Sequence, residues 1–332
     1  MNGVLGIDRF SYRGKHYQVP VFDAAEPIVI VARTEHAQGA RFGDPADEPV
    51  LRCLGTIWDP AEFRIPRRPV SLGCLTAEEL TSFVRPDAVR VLDMPIKMPD
   101  CEEYRLPSAL RQFAPVIQRI VDVEHHLLPA AKRSEYHAYL TIDQRWVEPR
   151  TLHREAPCHV DGFQGARWDP KCLTNHTYTV SDVLPTAYYV QPFDFTGLDE
   201  RLHDYFWEMN AQVADTNEAH KWQPRPTEIT LMDCYCVHRG VENDSDERVF
   251  RTWLRLSFEE RRRVFDRLGN AHNPLFDYDW PMVDRDIEQL DLRAYREDGD
   301  PSLRVFPWQA TDGSALPAGA PKTKPRLRNN LT

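Results

Sequence analysis

The chain has 332 residues, with 41 Lys and Arg against 51 Asp and Glu, a formal net charge of −10 and 42% hydrophobic residues. A chain of this size can bury a core without disulfide or metal staples, as one large domain or two modest ones. Its acidic balance argues against general duplex-DNA binding, which needs a basic face to displace counterions. No stretch approaches the roughly 18 consecutive apolar residues of a membrane span, and the start lacks a charged segment leading into an apolar run, so the chain reads as cytoplasmic. The seven cysteines (53, 74, 101, 158, 172, 234 and 236) form no Cys-x-x-Cys pair and read as free thiols.

Residues 1–105 are rich in Pro and carry short β-branched runs such as Pro27-Ile-Val-Ile-Val-Ala32, which predict strands and loops. Thr76 with Glu79 three residues later is a capping box, and it predicts a short helix that stops before Pro86. Apolar residues at Leu110, Phe113, Val116, Ile117, Ile120 and Val121 predict one amphipathic helix within Pro107–Leu127, packed on the outside of a sheet.

From Tyr136 the texture changes to strands: Tyr136–Ile142, Thr177–Val180, Ala187–Pro192, Glu228–Val237 and Phe250–Phe258. Several strands with few helices between them predict an antiparallel sandwich or barrel, mainly β with flanking helices. Leu202, Tyr205, Phe206, Met209 and Val213 predict a helical insertion between Leu198 and Glu218, within 195–225. The expected organisation is therefore an N-terminal strand and loop extension (1–105) packed on a catalytic core (106–309), followed by a flexible basic tail (310–332).

Three pieces carry chemistry. In Cys158-His159-Val160-Asp161-Gly162 an extended backbone turns His159 and Asp161 to one side, where both can face one metal ion. Pro226 to Val237 reads as a strand ending in His238 before Gly240; His238 is either a satisfied strand-end histidine or the third member of a two-His, one-carboxylate facial triad. The returning strand alternates Arg251, Trp253, Arg255 and Ser257 on one face with Thr252, Leu254, Leu256 and Phe258 on the other. An antiparallel return places its arginines near the metal.

The order His-x-Asp, distal His, Arg-x-Ser resembles the iron(II)/2-oxoglutarate-dependent oxygenase superfamily over roughly Tyr136–Glu259, as does the strand leading to His238, with its Pro-x-acid start and Asp233 before the histidine. The resemblance implies a double-stranded β-helix (jelly-roll, cupin-like) core. It implies that His159, Asp161 and His238 ligate Fe(II), that Arg255 pairs with the distal carboxylate of the cosubstrate 2-oxoglutarate, and that Ser257 adds a hydrogen bond. Arg251 is the runner-up for that role, or contacts another carboxylate or an acidic substrate. Dioxygen completes the reaction, which hydroxylates or otherwise oxidises a small molecule, such as an amino acid or secondary metabolite, and releases succinate and carbon dioxide. Asp161 favours hydroxylation or desaturation over halogenation, because halogenating relatives replace that carboxylate by a small residue.

Phe163, Gln164, Arg167 and Trp168 follow the His-x-Asp pair in a loop expected to overhang the metal and contact substrate. Asn175, Tyr178 and Gln191 are candidates for the barrel interior, and His272 lies in an aromatic and acidic loop that either caps the site or packs outside the barrel. The run Glu259–Arg263 reads as a solvated face. Two other classes stay open: a zinc or iron enzyme using the same triad without the keto acid, and a non-catalytic cupin-like binding protein. Oligomeric state is not legible.

Overall fold

The computed structural model describes residues 4–12, 14–33, 42–86, 90–153, 157–162, 170–198, 205–265 and 267–278. The strands are β1 (Val4–Tyr12), β2 (Lys15–Phe22), β3 (Ile28–Ile30), β4 (Val70–Cys74), β5 (Arg90–Lys97), β6 (Tyr104–Leu106), β7 (Tyr136–Val147), β8 (His176–Ser181), β9 (Ala187–Tyr189), β10 (Lys221–Trp222), β11 (Glu228–Asp233), β12 (His238–Arg239) and β13 (Val249–Glu260). The helices are α1 (Glu48–Leu51), α2 (Ala77–Phe83), α3 (Ala114–Leu127), α4 (Ala130–Arg133) and α5 (Tyr205–Asp215).

The alternation read in β13 sets the architecture. Leu254, Leu256 and Phe258 join one hydrophobic cluster with Leu140 and Ile142 of β7, Tyr178 and Val180 of β8, and Leu231 of β11. The same cluster holds Val116, Ile117, Ile120 and Val121 of α3, so that helix covers one face of the sheet. Each such side chain removed from water contributes roughly 1.5–3 kcal/mol. The sheet is antiparallel and six-stranded, in the order β4-β11-β8-β13-β7-β5. Strands β4 and β5, from the first hundred residues, form its two edges. A three-stranded sheet, β10-β9-β12, stands across a cavity from the uncovered face. The two sheets form the double-stranded β-helix of a mainly β fold. Among the described residues no helix is long and apolar enough to cross a membrane.

The capping box forms as expected: Thr76 Oγ1 accepts from Glu79 N, the Glu79 side chain accepts from Thr76 N, and the helix covers Ala77–Phe83. The segment read as one helix over Pro107–Leu127 is two pieces, a 3₁₀ turn at Ser108–Phe113 and then α3. Pro115 has no N–H to donate, so the α-helix starts where that loss costs nothing. The strand expected over Glu228–Val237 stops at Asp233, and the chain turns through residues 234–237 and enters the other sheet at β12. His238 and the arginines of β13 therefore meet across the sandwich and not along a hairpin. Within the insertion α5 covers Tyr205–Asp215; Leu202 lies outside the described residues, as does the tail 310–332.

Candidate metal centre

An isolated antiparallel bridge builds the centre. His159 N donates to His238 O and His238 N donates to His159 O, each at 2.9 Å. Residues directly opposite in such a pair put their side chains on one face, and the two imidazoles stand with centroids 4.4 Å apart. His159 Nδ1 donates to the Pro157 carbonyl at 2.8 Å, and His238 Nδ1 donates to the Cys236 carbonyl at 2.9 Å. A carbonyl oxygen can only accept, so each Nδ1 carries a proton, and in the neutral ring that a metal ligand must be, Nε2 holds the lone pair.

Asp161 lies two residues beyond His159 on the same side, and ligand atoms of the three residues all fall within 4.8 Å of one another. Among the described residues this is the one group of three or more His, Cys, Asp and Glu so arranged. Gly162 turns the chain away with a φ of +85°, and a Cβ there would overlap the Asn175 amide. Burial pushes the Asp161 carboxyl up, but Arg255 and the two histidines more than offset it and hold the group at about 2.

Arg255 Nη1 donates to Asp161 Oδ2 at 3.2 Å, and its Nη2 donates to Asp93 Oδ1 at 2.6 Å. Asp93 sits at a bulge in β5 with a φ of +42°, and its Oδ1 also accepts from Thr141 Oγ1 at 3.0 Å. Trp253 stands between the two arginines of its strand face, with guanidinium carbons 5.9 Å (Arg251) and 5.7 Å (Arg255) from its ring centre. Arg251 is buried; its Nε donates to Ser181 Oγ at 3.0 Å and to Val183 O at 3.1 Å. The triad, both arginines, Trp253, His153 and Thr179 line one cavity of about 160 Å³.

Ser257 does not line this cavity; its hydroxyl accepts from Thr177 Oγ1 at 3.3 Å. Phe163, Gln164, Arg167 and Trp168 lie outside the described residues. Asn175 packs over Gly162 with its Nδ2 3.5 Å from Glu259 Oε1, whereas Tyr178 points to the opposite face of the sheet, where it donates to Glu124. Gln191 is held by Gln212 and Thr216 on the small-sheet side and is absent from the cavity wall. His272 lines a second cavity, against β1 and β2. Cys234 and Cys236 are buried in the turn before β12, where Cys236 serves through its carbonyl.

The run Glu259–Arg263 is not the solvated face expected: Glu259, Glu260 and Arg263 are buried and Glu259 pairs with Arg263. Burial moves Glu259 up to about 7 against the pull of Arg263, with Asp161 adding to the rise. Asp93, His153 and Asp143 belong to no motif that the sequence singles out. The available signal is an aspartate interrupting each of two apolar strands, a residue type that strands disfavour.

Two imidazole nitrogens and one ionised carboxylate gathered on one side of a cavity form a donor set that would suit Fe(II). No family model matches the chain, and no curated protein matches it in sequence. Among solved structures, it is similar to EvdO2 from Micromonospora carbonacea var. aurantiaca complexed with 2-oxoglutarate, at 13% identity and a TM-score of 0.36, over 66% of this chain and 92% of that one. It is also similar to EctD from S. alaskensis with bound Fe, at 15% identity and a TM-score of 0.33, over 79% of this chain and 96% of that one. A third, the non-heme monooxygenase ThoJ in its Ni complex, stands at 14% identity and a TM-score of 0.31, over 61% of this chain and 77% of that one.

Proposed function

We propose that the protein is an Fe(II)/2-oxoglutarate-dependent oxygenase that hydroxylates, or otherwise oxidises, a C–H bond of a small molecule. The observation that carries this reading is the single cavity shared by His159, Asp161 and His238 with a buried arginine of β13. When bound, ferrous iron with the keto acid and dioxygen supplies the oxidant, and succinate and carbon dioxide are released.

His159 Nε2, His238 Nε2 and an Asp161 oxygen would hold the metal, their orientations set by the Pro157 and Cys236 carbonyls and by Arg255. Arg255 contacts a metal ligand and shares its charge between Asp161 and Asp93, so it neutralises and steadies Asp161. A keto diacid chelated through its keto end carries its second carboxylate at the far end. Arg251 lines the same cavity on the same strand face and donates to neutral partners, Ser181, Val183 and His153, so it is the better partner for that carboxylate. This exchanges the roles expected of Arg255 and Arg251. Trp253 forms the wall between them.

The test is an anaerobic titration of the apoprotein with Fe(II) and then 2-oxoglutarate. A chelated keto acid on facial-triad iron is expected to give a weak visible charge-transfer band that Fe(II) alone lacks. The band is expected to disappear in His159→Ala and to need far more 2-oxoglutarate in Arg251→Ala. Iron binding without the band would sink the cosubstrate assignment.

A further inference from the structure

His153 stands on the cavity wall beside Arg251, and the proposed reaction gives it no task. The backbone around it is fixed to the loop that follows His238: Leu152 bridges Glu242, Arg150 N donates to Asn243 O at 2.8 Å, and Asn243 N donates to Thr151 O at 2.9 Å. The imidazole is buried at 4% exposure between two groups of opposite demand. An Arg251 Nη1 hydrogen meets its Nδ1, while Asp143 Oδ2 of β7 lies 3.3 Å from its Nε2.

The tautomer follows from these partners. A guanidinium nitrogen can only donate, so Nδ1 must offer its lone pair. The proton of a neutral ring then sits on Nε2, the side that Asp143 faces. Burial pushes His153 down to about 4, the Asp143 contact pulls it back up, and Arg251 pushes it down further, so the ring is neutral near pH 7. The chain Asp143–His153–Arg251 therefore has one direction. Combined with the Ser181 and Val183 contacts at Nε, it leaves the guanidinium little freedom to turn.

We propose that His153 is a positioning residue for an anion subsite at Arg251: its Nδ1 fixes the guanidinium for a carboxylate in the cavity, and Asp143 fixes its tautomer. This rests on the reading that the cavity takes a 2-oxo diacid at the metal, and it adds the groups that set the affinity for the diacid's second carboxylate. Removing His153 is then expected to act on the carboxylate end of the ligand and not on the metal end.

The experiment measures, on the full-length Fe(II) protein without oxygen, the dissociation constants of 2-oxoglutarate and of 2-oxovalerate, a five-carbon keto acid that ends in a methyl group. His153→Leu is expected to weaken 2-oxoglutarate by about tenfold, one charge-assisted hydrogen bond, and to leave 2-oxovalerate and Fe(II) affinity unchanged. His153→Asn, whose amide oxygen falls near the Nδ1 position, is expected to restore most of the loss. His153→Gln, whose amide reaches toward Asp143 and not Arg251, is expected to behave as the leucine variant and stands in for it if the latter does not fold. Equal weakening of both keto acids, or of neither, overturns the positioning role. If the wild-type protein itself takes up no keto acid at iron, the oxygenase reading fails first and the subsite falls with it.

Discussion

Of the clusters of histidine and carboxylate among the described residues, two differ sharply in where the histidine nitrogens point. On the α3 side of the large sheet, the carboxylate of Glu124 receives His176 Nε2 at 3.0 and 3.1 Å and the hydroxyl of Tyr178 at 2.9 Å, all three residues without exposure. Phe258 stacks on His176 at 4.8 Å and seals the group. Across the sheet, His159 and His238 direct Nδ1 to backbone carbonyls and turn Nε2 toward a cavity. The first cluster spends His176 Nε2 and the Tyr178 hydroxyl on Glu124; the second converges on space, as the proposed metal centre requires. Histidine and acid in proximity therefore do not by themselves mark a candidate metal centre; a fixed tautomer aimed at a cavity is the better mark.

Removing one partner should separate the two clusters most sharply. Glu124→Ala is expected to destabilise the fold by about 3–5 kcal/mol, because it strands a buried imidazole and a buried hydroxyl; denaturant unfolding measures it, and the Fe(II) affinity of the folded fraction should not change. His238→Ala is expected to do the reverse. Its Fe(II) affinity should fall by more than the roughly hundredfold cost of losing a support to a ligand, with little change in the unfolding of the apoprotein.

Acid should sharpen the contrast. The folded Asp161 carboxyl stands at about 2 against an ordinary 3.8, so its contribution is present above 3.8 and lost as pH falls through about 2. That difference between the folded and unfolded chain corresponds to about 2 kcal/mol. Between about pH 5 and pH 2 the metal-free wild type should lose that much more stability than Asp161→Asn. The smallest effect concerns the core cluster: Tyr178→Phe removes one hydrogen bond to an ionised carboxylate and should cost about 1.5 kcal/mol, with iron binding untouched. A loss of iron affinity in that variant would break the division between the two faces of β8.

The same division marks what can be read without a structure. His-x-Asp, the distal histidine and the alternating arginines are legible because a two-residue period places side chains on one face whatever the partner strand. The capping box at Thr76 is legible for a similar reason, since its partners lie three residues apart. The 3₁₀ break before Pro115 and the exit of the chain from the large sheet at Asp233 are not, since apolar spacing alone does not reveal a change of helix type or of sheet. The run Glu259–Arg263 reads as solvated because charge in sequence carries no sign of burial.

Donor types, their order and the face each takes on its own strand are already set by the order of residues, since these follow from local backbone geometry. Folding alone brings His159 opposite His238, presents Nε2 of both imidazoles, commits Arg255 to Asp161 and Asp93, and puts Asp143 and His153 behind Arg251. Those arrangements depend on contacts between residues far apart in the chain, and no local period encodes them.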